Sequence, residues 1–181
     1  MLLRRMFLGL GLAVAAFGQA SAAETLKLNA EKSKIEFVGK KPDGKHVGGF
    51  KKFKANALAD FENPSAGSLE IMIDTPSLWS DDDKLTNHLK NPDFFDVRKF
   101  PQVTFKTTKI TADEESAEMT GDMTMLGKKV EVTVPAKVEV TEEAITVVAE
   151  FKIDRTKWGM DYGVGKIDNE VEITATMVFD R

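Results

Sequence analysis

The sequence predicts an all-β fold, an antiparallel barrel of about eight strands with one or two short helices near one end. Three observations carry that prediction. Apolar and polar residues alternate in run after run. Turn-forming residues punctuate the runs at short intervals. One segment alone breaks the period of two. At 181 residues the chain has the size of one domain, and no linker, repeat or low-complexity tract divides it. With 42% hydrophobic and 30% charged residues, disordered and collagen-like chains are excluded.

Residues 1–23 stand apart from this pattern. Arg4 and Arg5 form a positive head, Met6 to Phe17 an apolar run, and Ala20-Ser21-Ala22 a small-residue cleavage signal. The run is shorter than the roughly 20 apolar residues a membrane-spanning helix needs. The segment is therefore expected to be a cleaved signal peptide, with the mature domain over 24–181. Its arginine pair also loosely matches a twin-arginine export signal beside general secretion. No cysteine follows the cleavage site, which excludes a lipoprotein anchor. An exported chain with no cysteine at all fits a Gram-negative periplasm. Cleavage removes two arginines and moves the net charge from −4 to −6, a poor balance for binding nucleic acid.

Strands are expected at 25–28, 33–39, 46–58, 67–74, 102–110, 117–125, 130–140, 145–154 and 170–179. Ile35-Glu36-Phe37 and Leu69-Glu70-Ile71-Met72-Ile73 alternate early, and Met119, Met123 and Met125 share one parity. Val130 to Val134 runs on through Ala136 to Val140, Ile145 to Val147 runs on to Ile153, and Val171 to Ala175 ends the series. Turns fall at Pro42-Asp43-Gly44, Asn63-Pro64-Ser65-Ala66-Gly67, Leu126-Gly127-Lys128 and Thr141-Glu142-Glu143. Gly48-Gly49, inside a strand pattern, marks a bulge or a close backbone approach. The exception begins at Ser80-Asp81-Asp82-Asp83, a capping-box start with Ser80 as N-cap and Asp83 three residues on. A helix from Asp81 to Lys90, stopped by Asn91-Pro92, is expected, with another helical turn over Pro92 to Lys99. Acids in a first helical turn suit the helix dipole, and no EF-hand spacing follows them.

No catalytic constellation emerges. Only His46 and His88 are available, no G-x-S-x-G or phosphate-cradling glycine loop occurs, and the 29 acids show no pairing pattern. No catalytic residue, metal or cofactor is therefore assigned. Met119, Met123 and Met125 could hold Cu(I) through thioethers, form an ordinary core face, or make a pliable ligand wall. The lack of nearby His or Cys weighs against copper. An eight-stranded barrel is just wide enough to be filled by side chains or to hold one slender ligand. By parity Phe37, Ile71, Phe105, Met123, Met125 and Phe151 face its interior. Arg155 continues the parity of Phe151 and Ile153, so its guanidinium should point toward the barrel end. A charge there must be paired, by an acid such as Asp96 or by a ligand's polar head. Residues 40–54 carry Lys40, Lys41, Lys45, Lys51, Lys52 and Lys54 against Asp43 alone, a basic patch suited to an anionic membrane surface.

Four stretches carry a family resemblance. They are Ser33-Lys34-Ile35-Glu36-Phe37, then Leu89-Lys90-Asn91-Pro92-Asp93-Phe94-Phe95-Asp96-Val97-Arg98-Lys99-Phe100-Pro101, then Gly121-Asp122-Met123-Thr124-Met125-Leu126-Gly127, then Ile153-Asp154-Arg155-Thr156-Lys157-Trp158-Gly159-Met160. In this order, over residues 31–179, they resemble the YceI-like family of polyisoprenoid-binding, lipocalin-like proteins. Met123-Thr124-Met125 stands where that family often has Leu-Thr-Ile, and Lys128-Lys129-Val130 where Thr-Lys-Pro is common. The resemblance implies a lipocalin-like barrel with an elongated apolar cavity, binding of a long isoprenoid or similar amphiphilic lipid, and no catalysis. It also allows a homodimer. The aromatic residues Phe50, Trp79, Phe94, Phe95 and Trp158, with Arg155, join the six inward residues as expected lipid contacts. The function expected is periplasmic lipid binding for transport, storage or sequestration. A filled barrel serving as a stress-related interaction protein is the alternative, and an enzyme using the cavity a lesser one.

Overall fold

The computed structural model describes residues 23–113 and 115–181. The expected signal peptide, residues 1–23, lies outside the described residues but for Ala23. The strands are β1 (Glu24–Leu28), β2 (Lys34–Lys41), β3 (Gly44–Phe50), β4 (Phe53–Ala59), β5 (Ser68–Asp74), β6 (Leu78–Ser80), β7 (Gln102–Ala112), β8 (Ser116–Met125), β9 (Lys128–Val140), β10 (Ala144–Asp154) and β11 (Glu170–Asp180). The helix α1 (Asp83–Leu89) lies between β6 and β7.

These strands form one closed antiparallel barrel of eight staves. β11 pairs with all of β10 along one edge. Its other edge is divided, Val171–Thr176 pairing with β2 and Phe179–Asp180 with β1. β1 pairs with β4 and β2 with β3, so each of these two staves is a strand broken once. β5 and β6 make a third broken stave, β5 against β4 and β6 against β3. The sheet then runs through β7, β8 and β9 back to β10. The β9–β10 ladder is short, joining Ala136–Val140 to Ile145–Ala149. It starts just after Pro135, which has no N–H to donate.

Alternation did not reveal the breaks. The stretch 46–58, expected as one strand, is two, because the backbone at its centre is used elsewhere. The Lys51 N–H donates to the Ser77 carbonyl at 3.2 Å, the Lys52 N–H to Ser77 Oγ at 3.0 Å, and the Lys52 carbonyl accepts from Asp74 at 3.0 Å. The helix also starts later than expected. Ser80 pairs with Gly48 at the end of β6, so Asp82 is the N-cap, accepting from the Leu85 N–H at 2.7 Å. Pro92 to Lys99 is a run of turns rather than a helical turn, and Asp96 within it has φ 41°, outside helical backbone.

The barrel is sealed at the end away from α1. Leu26, Ala57, Leu69, Met119, Ala136, Ile145, Met177 and Phe179 meet there, all buried. Gly48 shows how tightly the wall fits: a Cβ there would meet the Phe37 ring and lie 2.7 Å from the Trp79 carbonyl oxygen. Gly48-Gly49 is thus a close backbone approach rather than a bulge. Because the backbone contact cannot be relieved by a side-chain rotation, Gly48→Ala is expected to lower stability by about 1–3 kcal/mol. Urea unfolding checks this; an unchanged midpoint would contradict the packing described.

Candidate functional site

Above the sealed base the side chains do not fill the barrel. An outer chamber of about 300 Å³ opens toward α1, and a narrower inner chamber of about 80 Å³ lies below it. Ile35, Ile73, Val103, Met123 and Ile173 border both, so the two form one elongated cavity. The inner chamber has no charged residue in its wall. Inward parity explains it: alternate residues of β5, β7, β8, β10 and β11 are apolar, and the closed ring turns them all to one space.

Of the residues expected inside, Phe37 and Met125 border the outer chamber, Ile71, Phe105 and Phe151 the inner one, and Met123 both. Phe50, Phe94, Phe95 and Arg155 also border the outer chamber. Trp79 and Trp158 border neither. Leu78, 2% exposed, takes the inward position on β6, which turns Trp79 outward over Gly49. Trp158 is a packing residue, 1% exposed, with its indole N–H donating to the Met123 carbonyl at 3.0 Å. It ends a short 3-10 turn, Arg155–Trp158, that packs against β9. Met160 and Ile167 also border the chamber; they come from a loop without period, so the sequence offered no signal for them. Leu85 and Leu89 do too, and their i, i+4 spacing on α1 was a readable signal. The methionines Met119, Met123 and Met125 follow the wall from inner to outer chamber, the arrangement of a pliable ligand wall.

The mouth is covered from two sides. Phe95 meets Phe50 edge-on at 5.6 Å and lies 6.5 Å from Phe37, roofing the outer chamber. Beside it, Tyr162 of the 159–168 loop lies 5.2 Å from Phe94 and 4.8 Å from His88, which is bonded to Asp93 at 2.8 Å. Gly159 and Gly163 give that loop its left-handed corners, at φ 83° and 70°. On the other flank His46 Nδ1 and Asp81 are 2.9 Å apart, and the Val47 N–H donates to the same carboxylate at 3.0 Å. That clasp holds the segment leading into α1 against β3.

Arg155 is buried, at 3% exposure, but not paired with Asp96 as the sequence suggested. Its Nε donates to the Asp168 carbonyl at 3.1 Å, Nη1 to the Met160 carbonyl at 2.5 Å and Nη2 to the Ile167 carbonyl at 3.5 Å. The Asp96 backbone is committed to its own turn, accepting from Lys99 and Phe100. The 159–168 loop reaches the guanidinium first. Burial pushes the pKa of Arg155 down, and the Asp161 and Asp154 carboxylates partly offset that.

The six lysines of 40–54 do not form one patch. Lys40 and Lys41 border the outer chamber with His46 and Asp168, and Lys45 shares their hairpin. Lys51, Lys52 and Lys54 lie the length of β3 away, where the stave breaks. Lys40 is moreover paired with Glu172 at 2.5 Å, which holds the Glu172 carboxyl below its usual range. Among the described residues no cluster of three His, Cys, Asp or Glu could hold a metal ion.

Residues 26–179 match the family model of the YceI-like domain. A UPF0312 protein of Pseudomonas putida strain GB-1 is 36% identical over 136 residues, covering 71% of this chain and 69% of that protein. One from Pseudomonas aeruginosa strain LESB58 is 34% identical over 132 residues, covering 72% and 69%. Among solved structures, BcnA of Burkholderia cenocepacia superposes with a TM-score of 0.78 at 29% identity, over 84% of this chain and 99% of BcnA. A polyisoprenoid binding domain from Saccharophagus degradans gives 0.69 over 86% of this chain and 97% of its own, and at 13% identity it shares the fold.

Arg155→Met strands three carbonyls, each costing about 1–3 kcal/mol if buried and unpaired, and rewetting of the loop recovers part. A loss of about 2–4 kcal/mol is expected in denaturant unfolding. Asp96→Asn, which keeps a residue tolerant of left-handed backbone, should change stability by less than about 0.5 kcal/mol; equal losses in both variants would restore the Asp96 pair. The Asp81 carboxyl is held below its ordinary 3.8 by the Val47 N–H first and His46 second. A lowered folded pKa stabilises above the unfolded value and is lost as pH falls through the folded one. The melting-temperature gap between wild type and Asp81→Ala is therefore expected in full above the ordinary carboxylate range and to shrink as pH falls below it; a gap that widens in acid would be inconsistent with it.

Proposed function

This chain belongs to the YceI-like family, and on that premise we propose that it binds a long-chain isoprenoid or similar amphiphilic lipid, tail inward and head at the mouth. One observation carries the reading: an elongated cavity whose deep end is apolar and whose charged or titratable lining residues among the described residues, Lys40, Lys41, His46, Arg155 and Asp168, stand at the mouth. Energetics favour it. About ten methylenes buried at about 0.8 kcal/mol each correspond to about 8 kcal/mol, or micromolar binding before ordering costs. An interior left open by its own side chains weighs against the filled barrel. Binding rather than catalysis is supported by the lining itself. Among the described residues it is built of apolar side chains below a charged rim, and His46 at that rim is engaged with Asp81.

The N-terminal signal pattern supports a periplasmic site of action, where a lipid tail crossing between membranes needs such a shield. Carriage, storage and sequestration all use the same cavity. Lys41 and Lys45, exposed on the β2–β3 hairpin beside the mouth, support transient contact with an anionic membrane surface at about 1 kcal/mol each.

Met123 borders both chambers, so a large side chain there blocks the passage. N-phenylnaphthylamine, a neutral dye that fluoresces in apolar sites, is expected to bind the delipidated protein and to bind Met123→Trp at least about tenfold more weakly, with overpacking costing about 1–3 kcal/mol of stability. Unaltered dye binding by the variant would place the apolar site elsewhere. Co-sedimentation with vesicles should rise with anionic lipid, fall with salt, and weaken in the Lys41→Glu/Lys45→Glu double variant; indifference to all three removes the membrane contact.

A further inference from the structure

Arg155 is a cation set into the wall of an apolar cavity, and the chain surrounds it with carbonyls instead of a carboxylate. Carbonyls satisfy hydrogen bonds but carry no net charge, so the field of the guanidinium persists in the outer chamber. Among the described residues no carboxylate lies within ion-pair distance of it. Asp154 is turned toward Thr156, at 2.7 Å to Oγ1 and 3.0 Å to N, and Asp161 is exposed. A guanidinium has five N–H donors. Three are engaged, one of them at 3.5 Å, which leaves two without a protein acceptor among the described residues. Of the charged residues that line the chamber, Lys40, Lys41 and Arg155 outnumber Asp168, and Lys40 is tied to Glu172. The excess is positive, and Arg155 is its buried source.

A buried cation of this kind sets the sign of what completes the site. We infer that the outer chamber is an anion site that reads the head of the bound amphiphile, a carboxylate or a phosphate, through Arg155, while the tail fills the inner chamber. The inference rests on the lipid-binding reading above and sharpens it. An anionic head accepts two parallel bonds from the fork and neutralises the charge. An alcohol of the same tail offers one oxygen and leaves the charge in place.

Three probes with one tail test it on the wild-type protein: farnesol, farnesoic acid and farnesyl phosphate, each displacing N-phenylnaphthylamine from delipidated protein at low ionic strength. At least one anion is expected to bind about tenfold or more tighter than farnesol, the range of a charge-assisted hydrogen bond. Preference for phosphate alone points to polyprenyl phosphates, and equal preference for the acid points to fatty-acid-like ligands. Farnesol binding as tightly as both anions overturns the anion site while leaving the lipid cavity intact. Failure of all three to displace the dye counts against the cavity reading itself. In Arg155→Gln the ratio of anion to farnesol affinity, both measured on that variant, should fall to about threefold or less; a ratio kept in full would overturn the assignment to Arg155. Should that variant not fold, the wild-type ratio still decides.

Discussion

β11 is shared among three strands, one along its whole length and two that divide its other edge, and this sharing closes the barrel. Closure removes the open edges that would invite pairing with other chains. It also fixes eight staves, and with them an interior width between filled and hollow. At the base, large residues such as Phe179 and Met177 fill that width. Toward the mouth the inward positions pass to residues such as Ile153, Val171 and Ile173, which leave space between them. The cavity is thus a consequence of ring geometry and side-chain gradient together.

The mouth is held by parts that the barrel does not supply. Where the β9–β10 ladder stops at Pro135, the turn Arg155–Trp158 packs against β9, and Trp158 ties it to β8 through the Met123 carbonyl. Arg155 then gathers three carbonyls of the following loop. The His46–Asp81 clasp and the Phe94–Tyr162–His88 cluster fasten the two flanks separately. Each is a local, polar or aromatic fastening on top of a continuous apolar ring, so the cover can loosen while the barrel stays shut.

How much of this was legible follows from what alternation measures. A half-buried strand announces its inner face, so Phe37, Ile71, Phe105, Met123, Met125 and Phe151 could be assigned inward from parity. Alternation is blind to backbone partners, so it joined β3 to β4 across Lys51 and Lys52 and missed the Ser77 contacts that part them. It is equally blind to relative strand position, which is why the six lysines read as one patch. Aromatic character rather than parity points Trp79 and Trp158 inward in the sequence, and both lie outside the cavity. For Arg155 the parity was readable, and the partner was not. Loop 159–168 has no period, and nothing in its residues says that its carbonyls would reach the guanidinium before an acid did. The four family stretches filled this gap for the fold, because they span the chain in order, and left the head of the ligand undetermined.

Lipid binding requires the cavity to be a ligand site rather than slack in a core. Native mass spectrometry of the full-length protein, exported in a Gram-negative host and purified without detergent, tests this most directly. The expected result is a species heavier than the polypeptide alone by one lipid, released by organic extraction and carrying an acidic head. A single species at the polypeptide mass, unchanged by extraction and unable to take up added lipid, would contradict it.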